Sequence, residues 1–167
     1  SIFLVSNRNK EGKVVTPKVY KAQGERKYRV ILLTGCVQDS LDPAINQATI
    51  RILNRHGCEV LVHPEGGCCG SVNQNLGQQK RAVSLIKANV ARWSEMDKVT
   101  RLDGIIVNAS GCGTILKDYG FLLRNDSKTS KEAEKVSQLA CDITEFMARI
   151  GLNDCLVPGN LRVAYQS

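Results

Sequence analysis

Three short apolar runs, each followed by a loop that carries glycine and cysteine, constrain the fold of this 167-residue chain more than any other feature. The runs occupy residues 29–34, 58–62 and 104–108. Runs of this length, rich in valine, isoleucine and leucine and bounded by glycine or proline, are typical of buried strands. Segments with helical spacing separate them, and this alternation predicts a parallel sheet with helices packed on it.

Capping residues support the helical segments between the strands. The predicted helices cover residues 43–56, 76–93, 114–119 and 133–150. Asp42 precedes Pro43, an N-cap followed by proline at the first helical position, and Thr129 with Glu132 fits a capping box. A fourth strand is predicted at residues 161–165. Together these elements predict an α/β fold, a Rossmann-like parallel sheet of about four strands with helices on both faces.

The net charge of +7 is concentrated at the start of the chain, where residues 1–29 hold eight basic and two acidic side chains. We interpret residues 1–27 as a basic arm or linker and residues 28–167 as the folded domain. The alternative for the arm is that it docks on an acidic partner surface. Because the arm has few aromatic residues to stack on bases, nucleic-acid binding is disfavoured. The apolar runs are shorter than the roughly 20 residues of a membrane span, and the start lacks the pattern of a secretory signal.

Four of the seven cysteines follow the predicted strands. Cys36 comes after the first strand, Cys68 and Cys69 after the second, and Cys112 after the third. Because the carboxyl ends of parallel strands share one edge of a sheet, these thiols should converge there. Four thiolates at one place suit an iron–sulfur cluster or zinc, although the spacing is the usual one for neither.

The other three cysteines are interpreted as buried thiols without a ligand role: Cys58, Cys141 and Cys155. An odd number of cysteines in a chain with a full core disfavours a disulfide scaffold. A thiol–disulfide redox module stays open as a third possibility beside the two metal sites, and it requires one thiol with a lowered pKa. No catalytic residues are predicted, and His63 is interpreted as a packing residue rather than a ligand.

The chain resembles the cysteine-rich CCG domain family, found in the B subunit of heterodisulfide reductase and in iron–sulfur subunits of glycolate oxidase (glycolate dehydrogenase). The motifs that carry the resemblance are Thr34-Gly-Cys-Val-Gln38, Pro43-Ala-Ile-Asn46, Gly66-Gly-Cys-Cys-Gly70, Ala109-Ser-Gly-Cys-Gly113 and Lys117-Asp-Tyr-Gly120. In the family a cysteine, a Cys-Cys-Gly and a CxxC follow one another. Cys36, Cys68, Cys69 and Cys112 match, whereas Ala109 stands where the first cysteine of the CxxC would be.

The resemblance implies an iron–sulfur cluster, of the 4Fe–4S type, held by these four cysteines. It implies electron transfer from a flavin-containing partner subunit towards quinone, with accessory subunits in the complex and no substrate chemistry on this chain. It also implies a cytoplasmic location, which includes peripheral association with the inner face of the cell membrane. A structural zinc domain on the same thiols is the alternative, and aerobic preparation is expected to leave the site empty or oxidised.

The same resemblance implies a longer subunit around this stretch of sequence. Ferredoxin-like cluster modules would precede residue 1, and a second CCG repeat would follow residue 167. The domain at residues 28–167 would then hold the first repeat and the first strand of the second.

Overall fold

The computed structural model describes residues 7–8, 14–152, 159–160, 162 and 164. The strands are β1 (Asn7–Arg8), β2 (Val14–Val15), β3 (Lys18–Tyr20), β4 (Tyr28–Leu32), β5 (Cys58–Val62), β6 (Gly104–Val107) and β7 (Ala140–Asp142). The helices are α1 (Gln38–Leu41), α2 (Pro43–Arg55), α3 (Ser71–Asn75), α4 (Gln79–Thr100), α5 (Ser110–Lys117), α6 (Tyr119–Leu122), α7 (Ser130–Leu139) and α8 (Ile143–Ile150). Within this part of the chain, no helix has the length and hydropathy needed to span a membrane.

The main sheet has the strand order β3-β5-β4-β6-β7. β4 pairs in parallel with both β5 and β6, and β7 pairs in parallel with β6. The predicted α/β fold with about four parallel strands is therefore confirmed. Since β5 and β6 lie on opposite sides of β4, the loops after these strands meet at the point where the strand order reverses, which is where open parallel sheets bind ligands.

Hydrophobic cores cover both faces of the sheet. Ile31 and Leu33 belong to the core beneath α4, α5 and α7, whereas Val30 and Leu32 belong to the core beneath α2 and α8. This alternation follows from the pleat of a strand, in which successive side chains point to opposite faces. Burial on both faces explains why the strands are continuous apolar runs rather than alternating ones.

The segment predicted as one long helix at residues 133–150 is interrupted, and that prediction is wrong. α7 ends at Leu139, and β7 adds a parallel edge strand in which Ala140 is paired with Ile105. Cys141 therefore lies in a strand, although it is buried as predicted, with 8% of its surface exposed. The helical spacing continues across the break because α7 and α8 both place apolar side chains on a core.

The capping box lies at a different place from the predicted one. Thr129 is the N-cap of α7, but its side chain makes no capping hydrogen bond. The capping box is instead at α8, where Asp142 accepts from the Thr144 N–H at 2.8 Å and Glu145 accepts from the Asp142 N–H at 3.0 Å. The predicted N-cap at Asp42 is confirmed, since its side chain accepts from the Ala44 N–H.

Two further elements differ from the expectation. Lys18–Tyr20, inside the predicted basic arm, forms the antiparallel edge strand β3 against β5. The helix predicted at residues 76–93 begins at Gln79 and continues to Thr100, with the short α3 before it. The strand predicted at residues 161–165 falls largely outside the described residues, as does Cys155.

Candidate metal centre

A cavity of about 400 Å³ opens at the carboxyl edge of the sheet, beyond β4, β5 and β6. The four cysteines predicted as ligands all line it: Cys36, Cys68, Cys69 and Cys112. Cys36 is exposed, Cys68 and Cys112 are partly buried, and Cys69 is buried. The structure thus brings together the four thiols that the order of strands and cysteines predicted, while their role as ligands stays a prediction.

Two of the four thiols form a close pair. The Sγ atoms of Cys69 and Cys112 lie 3.1 Å apart, and Cys36 is near enough to Cys68 to raise its pKa. Cys112 lies in the first turn of α5, which begins at Ser110 rather than at the predicted residue 114. One helix and two loops therefore deliver the sulfur atoms to the cavity.

Neighbouring groups shift the pKa values of Cys69, Cys112 and Cys68. The hydrogen bond shared with Cys112 lowers the pKa of Cys69 to about 7 despite burial, and the Ser71 N–H, 3.5 Å from the sulfur, acts in the same direction. The same bond to Cys69, together with burial, holds the pKa of Cys112 well above its ordinary value. Burial raises the pKa of Cys68, against the opposing effect of the Gly70 N–H. The lowered pKa leaves Cys69 with a larger thiolate fraction at neutral pH than Cys68 or Cys112, and the thiolate is the form that metals bind.

Gly70 shapes the loop that carries the adjacent cysteines. Its φ of +89° lies in the left-handed region that favours glycine, and it is the residue before α3. A Cβ at this position would lie 3.3 Å from the carbonyl oxygen of Ala82 on α4. Glycine therefore allows the loop to turn tightly against α4, which brings the Gly70 and Ser71 amides to the cysteine sulfurs.

Two buried polar side chains hold the backbone of the adjacent cysteines. Asn89 of α4 donates from Nδ2 to the carbonyl oxygen of Cys68 at 2.8 Å. Tyr119 of α6 donates from its hydroxyl to the carbonyl oxygen of Cys69 at 2.7 Å. Neither residue was predicted as part of the site, although Tyr119 belongs to the Lys117-Asp-Tyr-Gly120 motif and Asn89 is a polar residue between Ile86 and Trp93 on the apolar face of a predicted helix.

A second polar network joins the strand ends that carry Cys36 and Cys112. Asn46 of α2 donates to the carbonyl oxygen of Thr34, two residues before Cys36, at 2.9 Å. Asn108, at the end of β6, donates to Asn46 Oδ1 at 3.0 Å and to Thr49 Oγ1 at 2.9 Å. Because β4 and β6 are linked in this way, the two loops keep a fixed spacing across the cavity mouth.

Apolar side chains complete the cavity and its rim: Val37, Leu41, Ile45, Val72 and Ala109. Leu41 is the most exposed of these, with 80% of its surface accessible. Ala109 lines the cavity at the position where the family resemblance implies a further cysteine. These side chains give the cavity an apolar rim, and the polarity around a cluster is one way that proteins adjust reduction potential.

The donor set fits a soft metal or a cluster. Thiolates select zinc, copper(I) and iron–sulfur clusters rather than hard cations such as magnesium. Across the residues that the structure describes, no three side chains of histidine, cysteine, aspartate or glutamate are arranged around the position of a single metal ion. The four sulfurs line the cavity, and the Ser71 N–H lies 3.5 Å from the Cys69 sulfur; thiolates with amide donors are a donor set that iron–sulfur clusters use.

The family comparison covers this site. A model of the cysteine-rich domain named CCG matches residues 30–117, which include all four cavity cysteines. The chain belongs to the CCG family. The resemblance noted from the sequence motifs is thereby confirmed, and no solved structure shows significant similarity.

Curated relatives of this CCG domain include iron–sulfur subunits. The chain is 35% identical to the glycolate oxidase iron-sulfur subunit of Escherichia coli (strain K12), over 83% of its own length and 34% of the relative's. It is 31% identical to the probable glycolate oxidase iron-sulfur subunit of Bacillus subtilis (strain 168), over 80% of its length and 29% of the relative's. A lactate utilization protein A from Shouchella clausii is 26% identical over 72% of the chain and 48% of the relative. The chain thus spans about a third of the two glycolate oxidase subunits.

Proposed function

We propose that this CCG domain holds an iron–sulfur cluster and transfers electrons within an oxidoreductase complex that oxidises glycolate. The observation that carries the proposal is the convergence of Cys36, Cys68, Cys69 and Cys112 on one cavity. The similarity to iron–sulfur subunits of glycolate oxidase supports both the cluster and the electron-transfer role. A bound cluster, of the 4Fe–4S type in this proposal, would supply one-electron transfer.

The residues of this chain contribute ligation and environment. The four cysteines are the ligands, the Ser71 amide donates to the Cys69 sulfur, and apolar side chains line the cavity. The oxidation of glycolate would take place on a flavin-containing partner subunit, and quinone would receive the electrons, in a complex at the cytoplasmic side of the membrane. Such a division is expected because hydride chemistry belongs to the flavin, and thiolate sites persist in a reducing compartment.

A thiol–disulfide redox function is the second candidate, because one observation favours it. The Sγ atoms of Cys69 and Cys112 are 3.1 Å apart, and the pKa of Cys69 is lowered to about 7. A lowered pKa next to a second thiol is typical of redox-active cysteines. A cluster would hold these two sulfurs farther apart than they are here, so iron and sulfide content separates the two functions.

Anaerobic reconstitution tests the proposal. Protein purified without added metal is incubated with iron, sulfide and a thiol reductant, and iron, sulfide and zinc are then measured together with EPR spectra before and after reduction. We expect bound iron and sulfide and a spectrum that changes on reduction. Stoichiometric zinc with no iron would establish the structural zinc domain, and rapid selective alkylation of Cys69 without any cluster would favour the thiol redox function.

A further inference from the structure

Asn89 and Tyr119 are two buried polar side chains that are not among the proposed cluster ligands. Their exposed fractions are 3% and 0%, and neither lines the cavity. Each donates to the carbonyl oxygen of one of the adjacent cysteines, and Asn89 Nδ2 also lies 3.2 Å from the Tyr119 hydroxyl. Burying an amide and a phenol is costly unless they are hydrogen-bonded, so these contacts strongly favour a single arrangement of the loop.

The two carbonyl contacts determine where the following amide groups point. A trans peptide places its N–H on the side opposite its carbonyl oxygen, and the peptides described here are trans. Tyr119 holds the carbonyl of Cys69, so the N–H of the same peptide, that of Gly70, faces away from Tyr119, and its proximity lowers the pKa of Cys68. Asn89 holds the carbonyl of Cys68 in the same way, so the N–H of Cys69 faces away from Asn89, and farther along the loop the Ser71 N–H lies 3.5 Å from the Cys69 sulfur.

Neighbouring side chains fix both residues in place. The ring of Tyr119 stacks on Trp93 with centroids 6.3 Å apart and planes 10° from parallel. Arg92 donates from Nη1 to Asn89 Oδ1 at 3.2 Å, which leaves the amide nitrogen facing the loop. Arg92 also pairs with Glu65, which precedes the cysteines in the same loop. The arrangement is therefore set by the protein core rather than by a ligand in the cavity.

We propose that Asn89 and Tyr119 are positioning residues that direct N–H groups at the cysteine sulfurs and thereby raise the reduction potential of the cluster and slow its loss. Amide donors stabilise negative charge on sulfur, and a reduced cluster carries more of that charge than an oxidised one. Removing such outer contacts weakens metal retention in many proteins. This inference rests on the proposed cluster, and it concerns residues that do not touch it.

The test compares Tyr119→Phe with Tyr28→Phe. Both variants remove a hydroxyl and keep the ring, but Tyr28 packs edge-on against Phe146 in the core on the other side of the sheet. We expect Tyr119→Phe to exchange the Gly70 and Ser71 amide protons roughly fivefold faster, as the loss of one buried hydrogen bond implies. We also expect a more negative midpoint potential and faster loss of iron to a chelator, whereas Tyr28→Phe behaves as the wild type does.

Asn89→Ala is a second test variant, and circular dichroism verifies that it folds. It should change the amide exchange, the midpoint potential and the rate of iron loss in the same directions. If both variants keep the wild-type amide exchange and midpoint potential, the positioning role is overturned. If the wild-type protein takes up no iron–sulfur cluster, the proposed function fails, and amide exchange alone then decides whether the two side chains hold the loop. Faster exchange supports positioning in that case, and unchanged exchange refutes it.

Discussion

At the scale of single residues, the environment of each cysteine separates two kinds of thiol. Cys58 is completely buried in β5, and burial, with Asp103 nearby, raises its pKa to about 11. Cys69 is also buried, but a neighbouring thiol and backbone amides lower its pKa to about 7. Because reactivity and metal binding follow the thiolate, burial alone does not make a cysteine inert. The groups that hydrogen-bond to the sulfur decide whether a buried thiol is reactive.

His63 is a buried imidazole in the loop between β5 and the adjacent cysteines. It is 4% exposed, its Nδ1 accepts from the Glu65 N–H at 3.2 Å, and its Nε2 has no hydrogen-bond partner among the described residues. Burial, and to a smaller extent Arg92, lowers its pKa to about 4. The packing role predicted for this residue is consistent with that environment.

This lowered pKa predicts a pH dependence of stability. Between about pH 6.5 and pH 4 the unfolded chain binds a proton at His63 that the folded chain does not. The free energy of unfolding should therefore decrease as the pH falls through this window, by up to roughly 3 kcal/mol from this residue. Urea unfolding at pH 7, 5.5 and 4 should show a smaller decrease for His63→Gln than for the wild type. Equal decreases would contradict the account.

Site residues were predictable where position in the chain decides their place. The four cavity cysteines follow strand ends, and parallel strands bring those ends together. Asn89 and Tyr119 were not predictable, since their partners Cys68 and Cys69 lie far away in sequence and the hydrogen bonds reach backbone atoms of any residue type. The signals present were the polar interruption of an apolar helical face at Asn89 and the place of Tyr119 in the Lys117-Asp-Tyr-Gly120 motif.

At the scale of elements, the interrupted helix shows where periodicity misleads. Apolar residues recur at helical spacing through residues 133–150, but Ala140–Asp142 pairs with β6 instead. The open edge of β6 offers backbone hydrogen bonds that a continuous helix would leave unused. A carboxylate at Asp142 followed by Glu145 then starts a new helix. The signal for the break was present in these two residues.

The caps of α7 and α8 give a matched pair of substitutions. Asp142→Ala removes a side chain that accepts from the Thr144 N–H at 2.8 Å and should lower the free energy of unfolding by about 1 kcal/mol. Thr129→Ala removes an N-cap residue whose side chain makes no capping hydrogen bond and should cost clearly less. Urea unfolding of both variants measures the difference. An equal or larger loss for Thr129→Ala would contradict the assignment of the caps.

The edge strand β3 shows how a basic segment can join a sheet. Val19 packs against one core, whereas Lys18 and Tyr20 lie on the opposite face of the strand, with Lys18 exposed and Tyr20 partly buried. Farther along the segment, Arg26 and Arg29 pair with Glu59 of β5. Three residues give too short a pattern for a strand prediction, and the high positive charge around them favoured an arm. The boundary predicted at residue 27 stays a prediction.

At the scale of the whole molecule, strand order explains the site. β4 lies at the centre, and the chain crosses from β5 on one side of it to β6 on the other. The loops after all three strands therefore open on one cavity, and the two polar networks hold those loops from the core side. The fold class and the convergence of thiols followed from the sequence pattern. The pairing of thiols required the three-dimensional arrangement.

The central claim is that four of the six described cysteines are ligands and two are not. Six single cysteine-to-alanine variants, reconstituted anaerobically with iron and sulfide, test it through iron content and EPR spectra. Cys58→Ala and Cys141→Ala serve as controls, because both thiols are buried away from the cavity.

We predict that replacing Cys36, Cys68, Cys69 or Cys112 lowers iron content or changes the EPR spectrum, while both control variants keep the wild-type cluster. A cluster that survives unchanged in all four cavity variants, or one that is lost only in Cys58→Ala or Cys141→Ala, would contradict the account.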